Sequence, residues 1–208
     1  MVLGMVRADF RRCFIELALK RVKPGSGSGL ALLQRRTWVH TVSDLNQILL
    51  PGLFVIVGGV ATRMYMPERS TLDLDILISM QETSTVYALL EKASAIRIGE
   101  LGIPGSQWQL VDGTSLDVLI SEADWISTAL AQPNYSPDGL PVIALPYLVL
   151  MKIQASRAQD LADVSRMLGG AGEEELEKIR QVIQMYFPEA LEDVESLIVL
   201  GRLEYENS

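Results

Sequence analysis

The chain has 208 residues, 49% of them apolar, which is enough for one large domain or a compact core with a helical extension; an ordinary charged fraction of 21% excludes a disordered chain. Asp plus Glu number 26 against 18 Lys plus Arg, a formal charge of −8, and such a field repels phosphates. Bulk binding of duplex DNA is thereby excluded, whereas a nucleotide or small RNA at a locally basic or metal-loaded site is not, and the single cysteine, Cys13, excludes an internal disulfide and points to a reducing cytoplasm.

Phe10, Cys13, Phe14 and Leu17 recur at helical spacing and predict an amphipathic N-terminal helix, with Cys13 as a packed helix residue. Arg7, Asp9, Arg11, Arg12 and Glu16 interrupt that stretch, so it does not read as a signal peptide. Lys23 to Gly29 is a Gly/Ser linker by composition. Ser43 and Asp44 predict the cap of a short helix ending before Pro51. Leu53 to Val57 is a β-branched and aromatic run, hence a buried strand; Gly58-Gly59 ends it and Val60 to Tyr65 continues as helix. Leu72 to Ile78 alternates and then turns wholly apolar, which predicts a second, central strand.

Thr83 or Ser84 caps a helix with Val86, Leu89, Leu90 and Ala93 on one face. Gln107–Val111, Asp112-Gly113 and Ser115–Ile120 predict a β-hairpin. A short helix follows at Asp124–Ala131, then a turn at Ser136–Gly139 and a short strand at Val142–Ala144. From Pro146 the pattern is helical, with segments Tyr147–Ala155, Asp160–Leu168, Glu173–Tyr186 and Glu189–Leu200. The two most apolar stretches, Leu49–Ala61 and Leu140–Met151, are too short and too broken by Pro or Gly for a membrane span. The expected fold is therefore α+β: a mixed sheet of about four or five strands flanked by helices, then a helical C-terminal region. The expected divisions are 1–29 (helix and linker), 30–145 (α/β core) and 146–208 (helical region).

Chemistry concentrates at two places. Two glycines where a strand gives way to a helix let backbone N–H groups approach an anion, and the helix dipole favours one there. Asp73 and Asp75, two apart on a strand, project to one face, while the apolar run Ile76-Leu77-Ile78 argues against a solvated edge strand. Paired carboxylates repel unless a hard cation, Mg²⁺ or Mn²⁺, lies between them, and such ions bring substrate phosphates as further ligands. Asp117 is a polar residue within an apolar run and a candidate third acid, with Asp112 as its competitor. His40 is the only histidine and lies ahead of these motifs, which argues against a histidine triad or zinc site; Trp38, Trp108 and Trp125 read as core or rim.

Val57-Gly58-Gly59, Thr71-Leu72-Asp73-Leu74-Asp75-Ile76-Leu77 and Leu116-Asp117-Val118 together resemble the signature of the DNA polymerase beta-like nucleotidyltransferase superfamily. Leu148 to Asp163 is similar to the Lys-x4-Arg-x2-Asp-x2-Asp helix of its AbiEii-like branch, which includes abortive-infection and toxin–antitoxin nucleotidyltransferases. The resemblance covers about residues 50–168. It implies an Mg²⁺- or Mn²⁺-dependent enzyme that moves an NMP from a nucleoside triphosphate to a hydroxyl of tRNA, protein or a small molecule, with an antitoxin as an implied partner. It further implies that Gly58 and Gly59 line the triphosphate, Asp73, Asp75 and Asp117 hold metal, and Lys152 contacts phosphate. Asp160 or Asp163 would complete the site, and Arg69 and Thr71 would touch phosphate. At ~100° per residue, Lys152 and Asp163 fall within ~20° of each other on an unbroken helix, Asp160 ~80° and Arg157 ~140° from Lys152. A break near Ser156 would change the placing of Arg157. The same motif also fits an antibiotic-type nucleotidyltransferase, a nucleotide-binding module without turnover, or an interaction protein.

Overall fold

In a computed structural model, residues 2–25, 44–66 and 73–205 are described. The chain divides into two compact units: Trp38–Met64 with Arg69–Ala144, and Met1–Thr37 with Tyr65–Glu68 and Leu145–Ser208. In chain order the elements are α1 (Val2–Arg21), β1 (Phe54–Val57), α2 (Gly58–Tyr65), β2 (Leu74–Ser79), α3 (Thr83–Lys92), β3 (Ile96–Glu100), β4 (Gly105–Gln109) and β5 (Ser115–Ser121). Then come α4 (Ile126–Ala131), β6 (Asn134–Tyr135), β7 (Pro141–Val142), α5 (Leu145–Ala155), α6 (Ala158–Gly169), α7 (Glu173–Tyr186) and α8 (Leu191–Tyr205).

The first unit is built on a mixed sheet of order β3-β4-β5-β2-β1-β7-β6. The sheet has seven strands rather than the expected four or five, because β3 and the two-residue β6 add one strand at each edge, while the short strand expected at Val142–Ala144 is β7. β2 is central: it runs antiparallel to β1 and parallel to β5. Registered partners share a face, so one face carries Phe54, Ile56, Leu74, Ile76, Trp108, Leu116 and Val118, all buried. α3 lies on that face through a relay in which Trp108 Nε1 donates to Ser106 Oγ at 2.8 Å and Ser106 Oγ donates to the Tyr87 hydroxyl at 2.6 Å. Asp44 caps a 3₁₀ turn, Leu45–Gln47, by accepting from the Asn46 N–H. Ser79 caps another, Met80–Glu82, so α3 begins beyond that turn.

The second unit is helical. α1 packs on α8 and α6, but with a different face from the one its apolar spacing predicts. Phe10 and Leu17 are each 47% exposed and Cys13 is exposed, while Arg11 and Ile15 are buried. The reason is an ion pair: Arg11 Nε donates to Asp193 Oδ2 of α8 at 2.5 Å, its Nη1 reaches Ser156 Oγ at 3.3 Å, and its guanidinium lies 5.2 Å over the Phe187 ring. α6 and α8 cross closely at glycines. A Cβ on Gly201 would overlap the Ser165 carbonyl oxygen and come within 2.8 Å of the Gly169 nitrogen. Overpacking of this kind costs about 1–3 kcal/mol. Gly201→Ala should therefore lower Tm by about 2–12 °C at about 2–4 °C per kcal/mol for a chain of this size; an unchanged melting curve would contradict the crossing. Among the described residues, no helix is long and apolar enough to cross a membrane.

Candidate active site

The site begins where β1 ends. Val57 is the registered partner of Asp75 on β2, and the next residue, Gly58, takes φ +63° and starts α2. A side chain at 58 would have to occupy the place of the Asp75 carboxyl: a Cβ there would overlap its Oδ2 and stand 2.7 Å from its Cγ. Glycine is thus required twice, for a left-handed backbone and for the close approach of the acid. The carboxylate of Asp75 consequently lies against the first turn of α2, where backbone N–H groups without an intrahelical acceptor and the dipole favour negative charge. Gly59, half-buried, is in that same first turn. Thr62 Oγ1 donates back to the Gly58 carbonyl at 2.8 Å and tightens the turn. Arg63 of α2 is partly buried, which lowers its pKa from the usual guanidinium value, yet such a group stays charged.

On the other side of β2, Asp75 is the registered partner of Asp117 on the parallel strand β5. Both are half-buried, and neighbouring strands stand about 4.8 Å apart, so the two carboxylates share one face at adjacent positions. Asp117 in turn is the registered partner of Gln107 on β4, whose Nε2 donates to Asp117 Oδ1 at 3.1 Å. A row of Gln107, Asp117 and Asp75 therefore runs across three strands to the glycine turn. Gln107 carries no sequence signal by itself; only the hairpin register places it beside Asp117. Asp112, the competing acid, lies in the β4–β5 turn, is exposed, and accepts from the Thr114 N–H at 2.9 Å. Asp73 is exposed and sits one residue ahead of β2. Arg69 and Thr71 lie outside the described residues.

Among the described residues, no three His, Cys, Asp or Glu side chains form a ready-made metal cage. The pair Asp75–Asp117 nevertheless suits Mg²⁺ or Mn²⁺, because Mg²⁺ usually binds through one or two carboxylates and takes its other ligands from water and substrate phosphates. The donor set is all oxygen, as a hard cation prefers.

The helical unit holds the remaining candidates as a buried ion cluster. Lys152 Nζ reaches Asp163 Oδ2 at 2.8 Å and Asp160 Oδ1 at 3.3 Å, all three side chains being buried. Gln159 Nε2 donates to Asp163 Oδ1 at 3.0 Å. The helix does break at Ser156, which has φ +55°, and the break carries Arg157 onto Asp160, Nε to Oδ2 at 2.6 Å. Arg157 is 77% exposed but Asp160 only 4%, and Lys152 is otherwise shared between two buried carboxylates, so loss of Arg157 leaves buried negative charge less compensated. Arg157→Ala should consequently lower stability by more than about 1 kcal/mol in urea unfolding; an unchanged midpoint would show that Lys152 and solvent compensate Asp160 without Arg157.

No family model and no curated protein matches the chain. Among solved structures, it is similar to a crystal structure of ANT(2")-Ia in complex with adenylyl-2"-tobramycin, with 21% identity over 73% of this chain and 88% of that chain and a TM-score of 0.38. It is similar also to a solution structure of the antibiotic-resistance factor ANT(2'')-Ia, with 17% identity over 73% of this chain and 83% of that chain and a TM-score of 0.37. Neither likeness reaches a TM-score of 0.5.

Proposed function

We propose that the chain is a divalent-metal-dependent nucleotidyltransferase that joins an NMP to an acceptor hydroxyl. The observation that carries this is the registered pair Asp75–Asp117 on central parallel strands, with the Asp75 carboxyl packed against the glycine turn that opens α2. That arrangement puts two metal-binding acids beside a backbone suited to phosphate. The N–H groups of Gly58 and Gly59 would bind the triphosphate. Asp75 and Asp117, joined by Asp73 from the start of β2, would hold Mg²⁺ or Mn²⁺. The cation would supply charge neutralisation on the phosphoryl oxygens and activation of the acceptor hydroxyl. In the reaction, the acceptor oxygen forms a bond to the α-phosphorus, the bond from that phosphorus to the bridging oxygen breaks, pyrophosphate leaves and the hydroxyl proton is lost.

Arg69 and Thr71 retain their proposed part as phosphate contacts just ahead of the acids. For Lys152 the proposed part is also phosphate binding, with Asp160 and Asp163 supporting it. Its ammonium is already shared by those two carboxylates, so a phosphate would have to replace one of them. A second reading, nucleotide binding without turnover, is favoured by the exposure of Asp73 and the lack of a three-acid cage among the described residues.

The test is incubation with each labelled NTP, Mg²⁺ or Mn²⁺, and in turn total tRNA, cell-extract protein and aminoglycosides. Transfer that EDTA abolishes and Asp75→Ala loses is the expected result. Transfer to tRNA or protein would favour the toxin–antitoxin reading, and transfer to a drug the antibiotic-type one. Nucleotide binding without transfer to any acceptor would favour the binding module, and no binding at all would overturn both.

A further inference from the structure

We propose that Gln107 is a positioning residue for Asp117: a neutral donor that fixes one carboxylate oxygen and leaves the other for a cation shared with Asp75. The inference rests on the nucleotidyltransferase reading and deepens it. Asp117 stands between Asp75 on one neighbouring strand and Gln107 on the other. Two carboxylates at adjacent positions repel, so Asp117 left alone would turn away from Asp75 and spoil any shared ligand geometry. The Gln107 amide opposes that by binding Oδ1 at 3.1 Å.

The identity of the donor matters. Lysine or arginine at 107 would hold Asp117 equally well but would neutralise it, competing with the metal. An amide orients the acid and leaves its charge intact. The amide's own base is anchored from the opposite face of the sheet. Its neighbours on β4, Ser106 and Trp108, are both buried and tied to Tyr87 through the hydroxyl relay and a ring contact of 5.2 Å. Arg97 of β3 then covers the Tyr87 ring at 4.9 Å. A long, half-buried side chain is thereby held on a rigid strand, which is what a second layer around a metal site needs.

The experiment measures binding of Mn²⁺ with inorganic triphosphate to the full chain, from the EPR signal of free Mn²⁺, for the parent, Gln107→Met and Gln107→Lys. Loss of a hydrogen bond to a metal ligand typically weakens metal binding about 10- to 100-fold. Gln107→Met should show a loss of that size with its thermal unfolding close to the parent's. Gln107→Lys, which keeps a donor and the aliphatic stem, should bind Mn²⁺ more weakly still because its ammonium takes the cation's place. Mn²⁺ affinity of Gln107→Met equal to the parent's would overturn the inference while leaving the active-site reading in place. A parent that takes up no Mn²⁺ with triphosphate would instead overturn that reading and the inference with it. Should Gln107→Met fail to fold, Gln107→Ala, which also removes the donor and adds no charge, takes its place in the comparison.

Discussion

Asp75→Asn is expected to reduce nucleotidyl transfer on the order of 10³-fold while leaving the fold intact. Metal-assisted charge neutralisation contributes several kcal/mol to such a transition state, and each 1.4 kcal/mol is a factor of ten in rate. Asparagine keeps the shape that fills the space over Gly58 and can still pack against the α2 turn, but it has no charge with which to hold the cation. The same substitution should act oppositely on stability without metal. It removes the repulsion between two half-buried carboxylates in adjacent register, a relief of about 1 kcal/mol at a solvent-screened site. The favourable effect of a negative charge at a helix start, which it also removes, is about 0.3–1 kcal/mol. These two contributions alone would move the metal-free Tm by about 0 to +3 °C. A pronounced fall in metal-free Tm would mean that Asp75 is a structural cap of α2, and full transfer activity in Asp75→Asn would remove the acid from the chemistry. Asp117→Asn should give the same pair of signs, since it is the other half of the repelling pair.

Much of the core was readable from local pattern. β1 and β2 are apolar runs bounded by glycine or acid, and the C-terminal helices begin and end near their predicted residues. What was not readable depended on distant partners. The spacing of α1 singles out Phe10, Cys13, Phe14 and Leu17, yet the helix turns Arg11 inward because Asp193, 182 residues away, receives its charge. β3 escaped because it is exposed along almost its whole length and contains Gly99, so it shows no buried alternation. The two-residue strand β6 is too short for any period. In the site, Asp-x-Asp and Gly-Gly were visible as residue types. The choice of Asp117 over Asp112 as the neighbour of Asp75 was not, because it follows from the register of β5 on β2. Gln107 was invisible for the same reason one strand further out.

Gly58→Ala joins the fold and the site in one measurement. An alanine at φ +63° carries a backbone cost of roughly 1–2 kcal/mol. Its Cβ also meets the Asp75 carboxyl, with Cγ 2.7 Å and Cβ 3.0 Å away, so either the carboxylate swings aside or the start of α2 shifts; overpacking at this level adds about 1–3 kcal/mol. The total, about 2–5 kcal/mol, should lower Tm by roughly 4–20 °C. If the clash is the dominant cost, it depends on the partner. In an Asp75→Ala background the carboxyl is absent, and the same Gly58→Ala change should cost only the backbone part. A double-mutant cycle should then show a coupling of at least about 1 kcal/mol between the two positions. Mn²⁺–triphosphate binding should follow the carboxylate, lost in Gly58→Ala even under conditions where that variant is fully folded. Strict additivity of the two substitutions would place Asp75 away from the glycine turn, and a Gly58→Ala protein that binds Mn²⁺–triphosphate like the parent would do so by a second, independent route.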